Sequence, residues 1–220
     1  MTEPVRSYHD HVTTVSAELL DRGSQGIVLL DASPLRVIED QYGSDVYGEV
    51  RRRLFKILSE QRGKDYRNED VLALDEPRGL RFLFFLDRKR RRTLPTTIAD
   101  LKAMRTRMLA TLAPAMVRAA FPYVKYGPVV EVGYAMAVYN PLMHPERIVR
   151  RAIDEALEYA AHARRSDQLS VRERLQDIIL RERVVTAYQP IMEMSNRTIL
   201  GVEALSRGPK GSGLESADVL

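Results

Sequence analysis

The stretch Val71–Leu86, VLALDEPRGLRFLFFL, constrains the fold of this 220-residue chain more than any other. Two apolar runs, Val71–Leu74 and Phe82–Leu86, flank Asp75-Glu76-Pro77-Arg78-Gly79. Proline and glycine in so short a connection reverse the chain, which predicts a β-hairpin. Neither run alternates with polar residues, so both strands are expected to be covered on two faces, at the centre of a sheet. Chemistry is expected at the turn, and the flanking segments are expected to supply the packing helices.

The neighbouring segments fit such a sheet. Val12, Val15, Ala17 and Leu20 predict a short helix ending before Gly23. Gly26–Asp31, GIVLLD, reads as a buried strand with a carboxylate at its C-terminal end, where sites form in open sheets. Ser33-Pro34 opens a helical stretch that Gly43 interrupts, and Val46, Val50, Leu54, Ile57 and Leu58 carry it on to about Glu60. Residues 61–70 are polar and read as loop. Beyond the hairpin, Ile98, Leu101, Met104, Met108, Leu112 and Met116 mark one face of a long helix, which Pro114 is expected to kink or divide. The methionines at this spacing read as core filler. Val129–Tyr139 is a strand in which Gly133 suggests a close backbone approach. Pro145 stands at the natural first position of the next helix. After the first helix, the order is β-α-β-β-α-β, the ferredoxin-like arrangement.

From Leu169 a new helix is expected, leading to Val184–Met194 and Thr198–Leu205, a second hairpin joined through Ser195-Asn196-Arg197. Two strands and a helix make no independent domain, so this part reads as cut off from something larger. The expected division is residues 1–168, a linker helix at 169–183, and a fragment at 184–220.

Composition narrows the function classes. Hydrophobic residues make up 45% and charged residues 29%, ordinary for a soluble domain with a core. The net charge of +4 permits nucleotide or nucleic-acid partners without requiring them. With no cysteine, disulfides and thiolate metal sites are excluded. No apolar run approaches the roughly 20 residues of a membrane span, so a soluble, cytoplasmic chain is expected. The run Arg88–Arg92 lacks interleaved aromatics and reads as a solvated cluster rather than a nucleic-acid site. His9, His11, His144 and His162 form no ligand pattern, and the first two fall in a terminus expected to fray.

Several landmarks together resemble the GGDEF domain of diguanylate cyclases, a palm-like α/β fold. Asp31 falls where that family ends its first strand on a metal-binding Asp. Asp40, Tyr42 and Gly43 resemble its N-D-x-y-G stretch. Phe82 matches the last letter of GGDEF, and Gly133 and Ala135 match its later S-i-G-v-A strand. Downstream, Tyr188-Gln189-Pro190-Ile191 and Gly201-Val202-Glu203-Ala204-Leu205-Ser206-Arg207 resemble the opening of an EAL domain, the cyclic di-GMP phosphodiesterase. The resemblance implies a GGDEF-like palm with an extra N-terminal helix, then a linker helix and a hairpin from an incomplete EAL barrel.

The departures decide the implied activity. Cyclases join two GTP molecules with divalent cations held by the first Asp and the third letter of the signature. Here the five letters read Arg78-Gly79-Leu80-Arg81-Phe82. Leu80 offers a hard cation nothing and Arg81 repels it. The guanine-reading positions fall on Glu39 and Gly48. Cyclase activity is therefore not expected, and no catalytic residue or cofactor is assigned to this chain.

Arg67-Asn68-Glu69-Asp70 has the R-x-x-D spacing of the family's inhibitory site, which binds cyclic di-GMP. In that reading the Arg67 fork takes a phosphate or guanine edge, and Asp70 accepts from guanine N–H groups. The plain alternative is a solvated loop with a weak ion pair. In a complete EAL domain, Glu203 would bind a catalytic Mg or Mn, and Gln189 and Arg207 would contact the dinucleotide. The expected function is a catalytically inactive regulatory domain that binds cyclic di-GMP or GTP and controls an attached phosphodiesterase. The alternative is a ligand-free dimerisation or spacer module, with a second copy of the chain as partner.

Overall fold

Along the strand Ser24–Asp31 (β1), neighbouring side chains point into two different cores. Val28 and Leu30 pack in one, and Ile27 and Leu29 in the other. The strand Arg81–Leu86 (β3) divides the same way, with Phe82 and Phe84 on one face and Leu83 and Phe85 on the other. A strand buried on both faces needs no polar alternation, which explains the continuous apolar runs. The computed structural model describes residues 5–86, 96–124 and 130–215. The basic run Arg88–Arg92 lies outside them.

The chain divides into two compact units, Met1–Arg164 and Arg165–Leu220. In the first, β1, Val71–Leu74 (β2), β3 and Glu131–Val138 (β4) form one antiparallel sheet in the order β2-β3-β1-β4. This is the ferredoxin-like strand order. One face carries Val37–Tyr42 (α2), Ser44–Glu60 (α3) and Ile98–Ala120 (α4). The other carries Val12–Arg22 (α1) and the start of Pro145–Leu180 (α5). The result is an α/β/α sandwich. Met104, Met108 and Met116 are core residues, as their spacing implies.

Four expectations need correction. Of the two hairpin strands only β3 is interior; β2 is the last strand of the sheet, because β1 takes the other place beside β3. Its outer side is met by the N-terminal segment, where Leu74 N donates to Arg6 O at 2.9 Å. That segment does not fray: Ser7 caps a turn of 3-10 helix, Tyr8–Asp10, and Tyr8 is buried. Of the two outcomes expected at Pro114, division of the helix is the one overturned: α4 runs through it. Pro114 and Ala110, whose carbonyl loses its N–H donor, both face solvent, so water can satisfy the orphaned oxygen. No new helix begins at Leu169 either. α5 is continuous to Leu180, since residues 161–170 contain neither glycine nor proline and nothing ends the helix there.

In the second unit, Val185–Met192 (β5) pairs with Ile199–Arg207 (β6) as an antiparallel ribbon, the expected hairpin. Every residue of β5 is exposed. Among the described residues, no helix is long and apolar enough to cross a membrane.

Candidate functional site

The turn between β2 and β3 forms one wall of a cleft of about 580 Å³. The opposite wall comes from the 3-10 helix Ser33–Arg36, from α2 and from the first turns of α3. β1 creates this geometry: pairing Asp31 with Arg81 brings the segment after β1 against the hairpin turn. Four arginines, Arg36, Arg51, Arg78 and Arg81, line the cleft against two glutamates, Glu39 and Glu76. Tyr47, from α3, donates its hydroxyl to Arg78 O at 3.5 Å. Burial holds the Tyr47 phenol above its ordinary value, against the lowering field of Arg51. It therefore stays a proton donor at neutral pH.

Arg78 adopts a left-handed backbone, φ 67°. For a residue with a Cβ this conformation costs about 1–2 kcal/mol, and glycine occupies it freely.

Behind the turn lies an ion network. Asp31 and Asp75 are both buried, at 3% and 5% exposure. Arg81 lies between them, with Nε 3.7 Å from Asp31 and Nη1 3.7 Å from Asp75. Arg164 of α5 binds Asp31 at 3.0 Å, and Ser33 N donates to the same carboxylate at 3.0 Å. Arg150 of α5 reaches Asp75 at 3.4 Å and Asp154 at 3.1 Å. Leu80 is buried in the core at 3% exposure. A divalent cation does not fit here: the carboxylate it would need is held by two guanidiniums, and the neighbouring position is hydrocarbon. Among the described residues, no group of three or more His, Asp or Glu side chains is placed to hold a metal.

The R-x-x-D loop is more ordered than its polarity implies. Asp70 is buried, and its Oδ2 accepts the Arg67 backbone N–H at 2.7 Å, closing the loop. Tyr66 stacks edge-on against Phe84 and donates to Leu58 O at 2.9 Å. Asp65 accepts from the Thr111 hydroxyl at 2.6 Å. Arg67 is exposed, and with Asp70 it borders a cavity of about 300 Å³.

In the second unit, Gln189 and Glu203 are directly opposite in register. Arg207 stands four residues from Glu203, so all three project from the same face of the ribbon. Both Gln189 and Glu203 are exposed.

Sequence reasoning found Asp31, as the acid that ends a buried apolar run, and Leu80 and Arg81, from their place at the hairpin turn. It missed Arg36, Arg51, Arg150 and Arg164. Only strand pairing and helix packing bring these to the turn, and no local pattern marks them. The one available signal was Arg78, an arginine in a turn position that favours glycine.

No family model matches this chain, and no curated protein matches it. Among solved structures, the GGDEF domain of TpbB (YfiN) from Pseudomonas aeruginosa is similar, at 17% identity over 73% of this chain and 87% of that one, TM-score 0.49. The S helix-GGDEF-EAL portion of Vibrio cholerae LapD, bound to cyclic di-GMP, is similar at 10% identity over 93% of this chain, TM-score 0.47. This chain spans 47% of that LapD polypeptide. The GGDEF domain of DgcB from Caulobacter crescentus, in complex with cyclic di-GMP, is similar at 17% identity over 71% of this chain and 83% of that one, TM-score 0.44.

Proposed function

We propose that the first unit is a catalytically inactive GGDEF-like regulatory domain of cyclic di-GMP signalling. It binds a guanine nucleotide in the cleft at the β2–β3 turn and regulates an EAL phosphodiesterase module to which β5 and β6 belong. The observation that carries this reading is Arg81 lying between Asp31 and Asp75, with Leu80 buried beside it. Phosphoryl transfer between two nucleotides needs acids and metal ions at these positions, so what remains is binding. Four arginines in a cleft with hydrogen-bonding groups suit an anionic nucleotide.

A second ligand position, for cyclic di-GMP, follows from the R-x-x-D loop. There Arg67 supplies the exposed charged fork, while Asp70 holds the loop in shape. In the phosphodiesterase module, Glu203 is proposed as a ligand of Mg or Mn, and Gln189 and Arg207 as dinucleotide contacts. Their shared face on the ribbon supports this.

Incubation of the chain with GTP and Mg²⁺ or Mn²⁺ is expected to give no cyclic di-GMP above a no-protein control, while calorimetry detects GTP binding. Arg67→Ala is expected to abolish cyclic di-GMP binding and leave GTP binding intact. Multiple-turnover synthesis overturns the inactive assignment. Binding of neither nucleotide hands the domain to the dimerisation or spacer reading.

A further inference from the structure

A phosphate chain in the cleft needs positive charge at the turn, and the structure supplies that charge from fixed guanidiniums. Arg36 and Arg78 line the cleft and form no ion pair among the described residues. Arg51 Nε and Arg81 Nε are buried and have no hydrogen-bond acceptor. The 3.7 Å between Arg81 Nε and Asp31 Oδ1 is an ionic contact beyond hydrogen-bond reach. The cleft is thus lined by four arginines and two glutamates, and two of the arginines, Arg36 and Arg78, have no ionic partner among the described residues. Arg78 keeps its side chain in a left-handed turn position that glycine would fill without strain.

A divalent cation has no place in this arrangement. To bind Asp31 it would have to displace Arg81 and share the carboxylate with Arg164, 3.0 Å away. Two cations that close repel strongly in a partly buried setting. Leu80 adds no oxygen ligand.

We propose that the cleft takes an oligophosphate as the metal-free anion. Arg36 and Arg78 make the phosphate contacts, while Arg81, held by Asp31 and Asp75, keeps a divalent cation out. This rests on the reading of the cleft as a nucleotide site, and it separates the ligand from the magnesium complex in which nucleotides ordinarily bind. Mg²⁺ competes with the arginines for the same phosphate oxygens, so it weakens binding or leaves it unchanged.

The test is calorimetric titration of the whole chain with inorganic tripolyphosphate and with GTP, each in EDTA and in excess Mg²⁺. Both probes are expected to bind in EDTA at least as tightly as in Mg²⁺. Arg78→Gly and Arg36→Ala are each expected to weaken tripolyphosphate about tenfold, the loss of one charged hydrogen bond. Neither variant touches the buried acids, and Arg78→Gly relieves backbone strain, so both should fold. Binding only in Mg²⁺, GTP binding without tripolyphosphate binding, or unchanged affinity in both variants overturns the proposal and leaves the nucleotide site standing. Failure of GTP to bind under either condition overturns the nucleotide reading itself.

Discussion

Gly133 sets how closely β4 and α5 approach. A Cβ there would lie 1.8 Å from Ala156 O and 3.0 Å from Ala160 N. The obstacle is helix backbone, which no rotamer change relieves, so the strand and helix must separate. Gly133→Ala is expected to cost about 3 kcal/mol or more, read as a lower denaturant midpoint. An unchanged midpoint would show that the two elements yield to one another. This residue was legible in the sequence, because a glycine inside an apolar strand has few other uses. Arg164 was not. It reads as one more surface charge on a helix, and its partner Asp31 is 133 residues away. The carboxylate and the guanidinium meet only because β1 and α5 pack on one another, and periodicity does not encode that. Asp70 shows the same limit: spacing finds the Arg67–Asp70 pair, while burial shows its carboxylate already engaged by backbone.

At the scale of elements, period and punctuation located most helices and both hairpins. Apolar spacing found α3 and α4, and Gly23, Gly43 and Pro145 marked boundaries the structure keeps. The errors came from over-reading punctuation. Pro114 lies in α4 without dividing it, and the helix expected to begin at Leu169 is a continuation of α5. That continuity has a direct test. Arg165 is exposed, so a substitution there acts on backbone alone. Arg165→Pro removes one intrahelical hydrogen bond and clashes with the carbonyl of Ala161, at a cost of about 3 kcal/mol. The expected result is a loss of helicity in far-ultraviolet circular dichroism. A chain in which a separate helix began at Leu169 would accept the proline with its spectrum unchanged.

For the whole molecule, the two units meet the demand for burial differently. The first closes both faces of its sheet, with one core beneath α3 and α4 and another beneath α1 and α5. The second leaves apolar side chains exposed on both faces of its ribbon. Val185 and Ile191, each at 52% exposure, project to one side, and Tyr188 at 69% and Val202 at 61% to the other. A two-stranded ribbon of this kind is marginal in water, and its apolar faces and free edges seek partners. The chain is expected to self-associate at micromolar concentration in analytical ultracentrifugation. Tyr188→Ser combined with Val202→Thr should shift it toward monomer. A monodisperse monomer before substitution would show that the ribbon is covered from within the chain. The fold of the first unit was readable because both of its cores lie within it. The state of the ribbon was not, because what covers a surface is not written in the strands that expose it.

The interlocked charges around Asp31 also bear on what this lineage can become. A change of Leu80 to an acid places a carboxylate at a position now buried among apolar side chains. A change of Arg81 to an acid sets a third negative group beside Asp31 and Asp75. Removing Arg164 first strips Asp31 of its nearest counter-charge. Each of these single substitutions is expected to lower the stability of the fold. On the stability of the fold alone, cation binding at Asp31 lies several coordinated substitutions away.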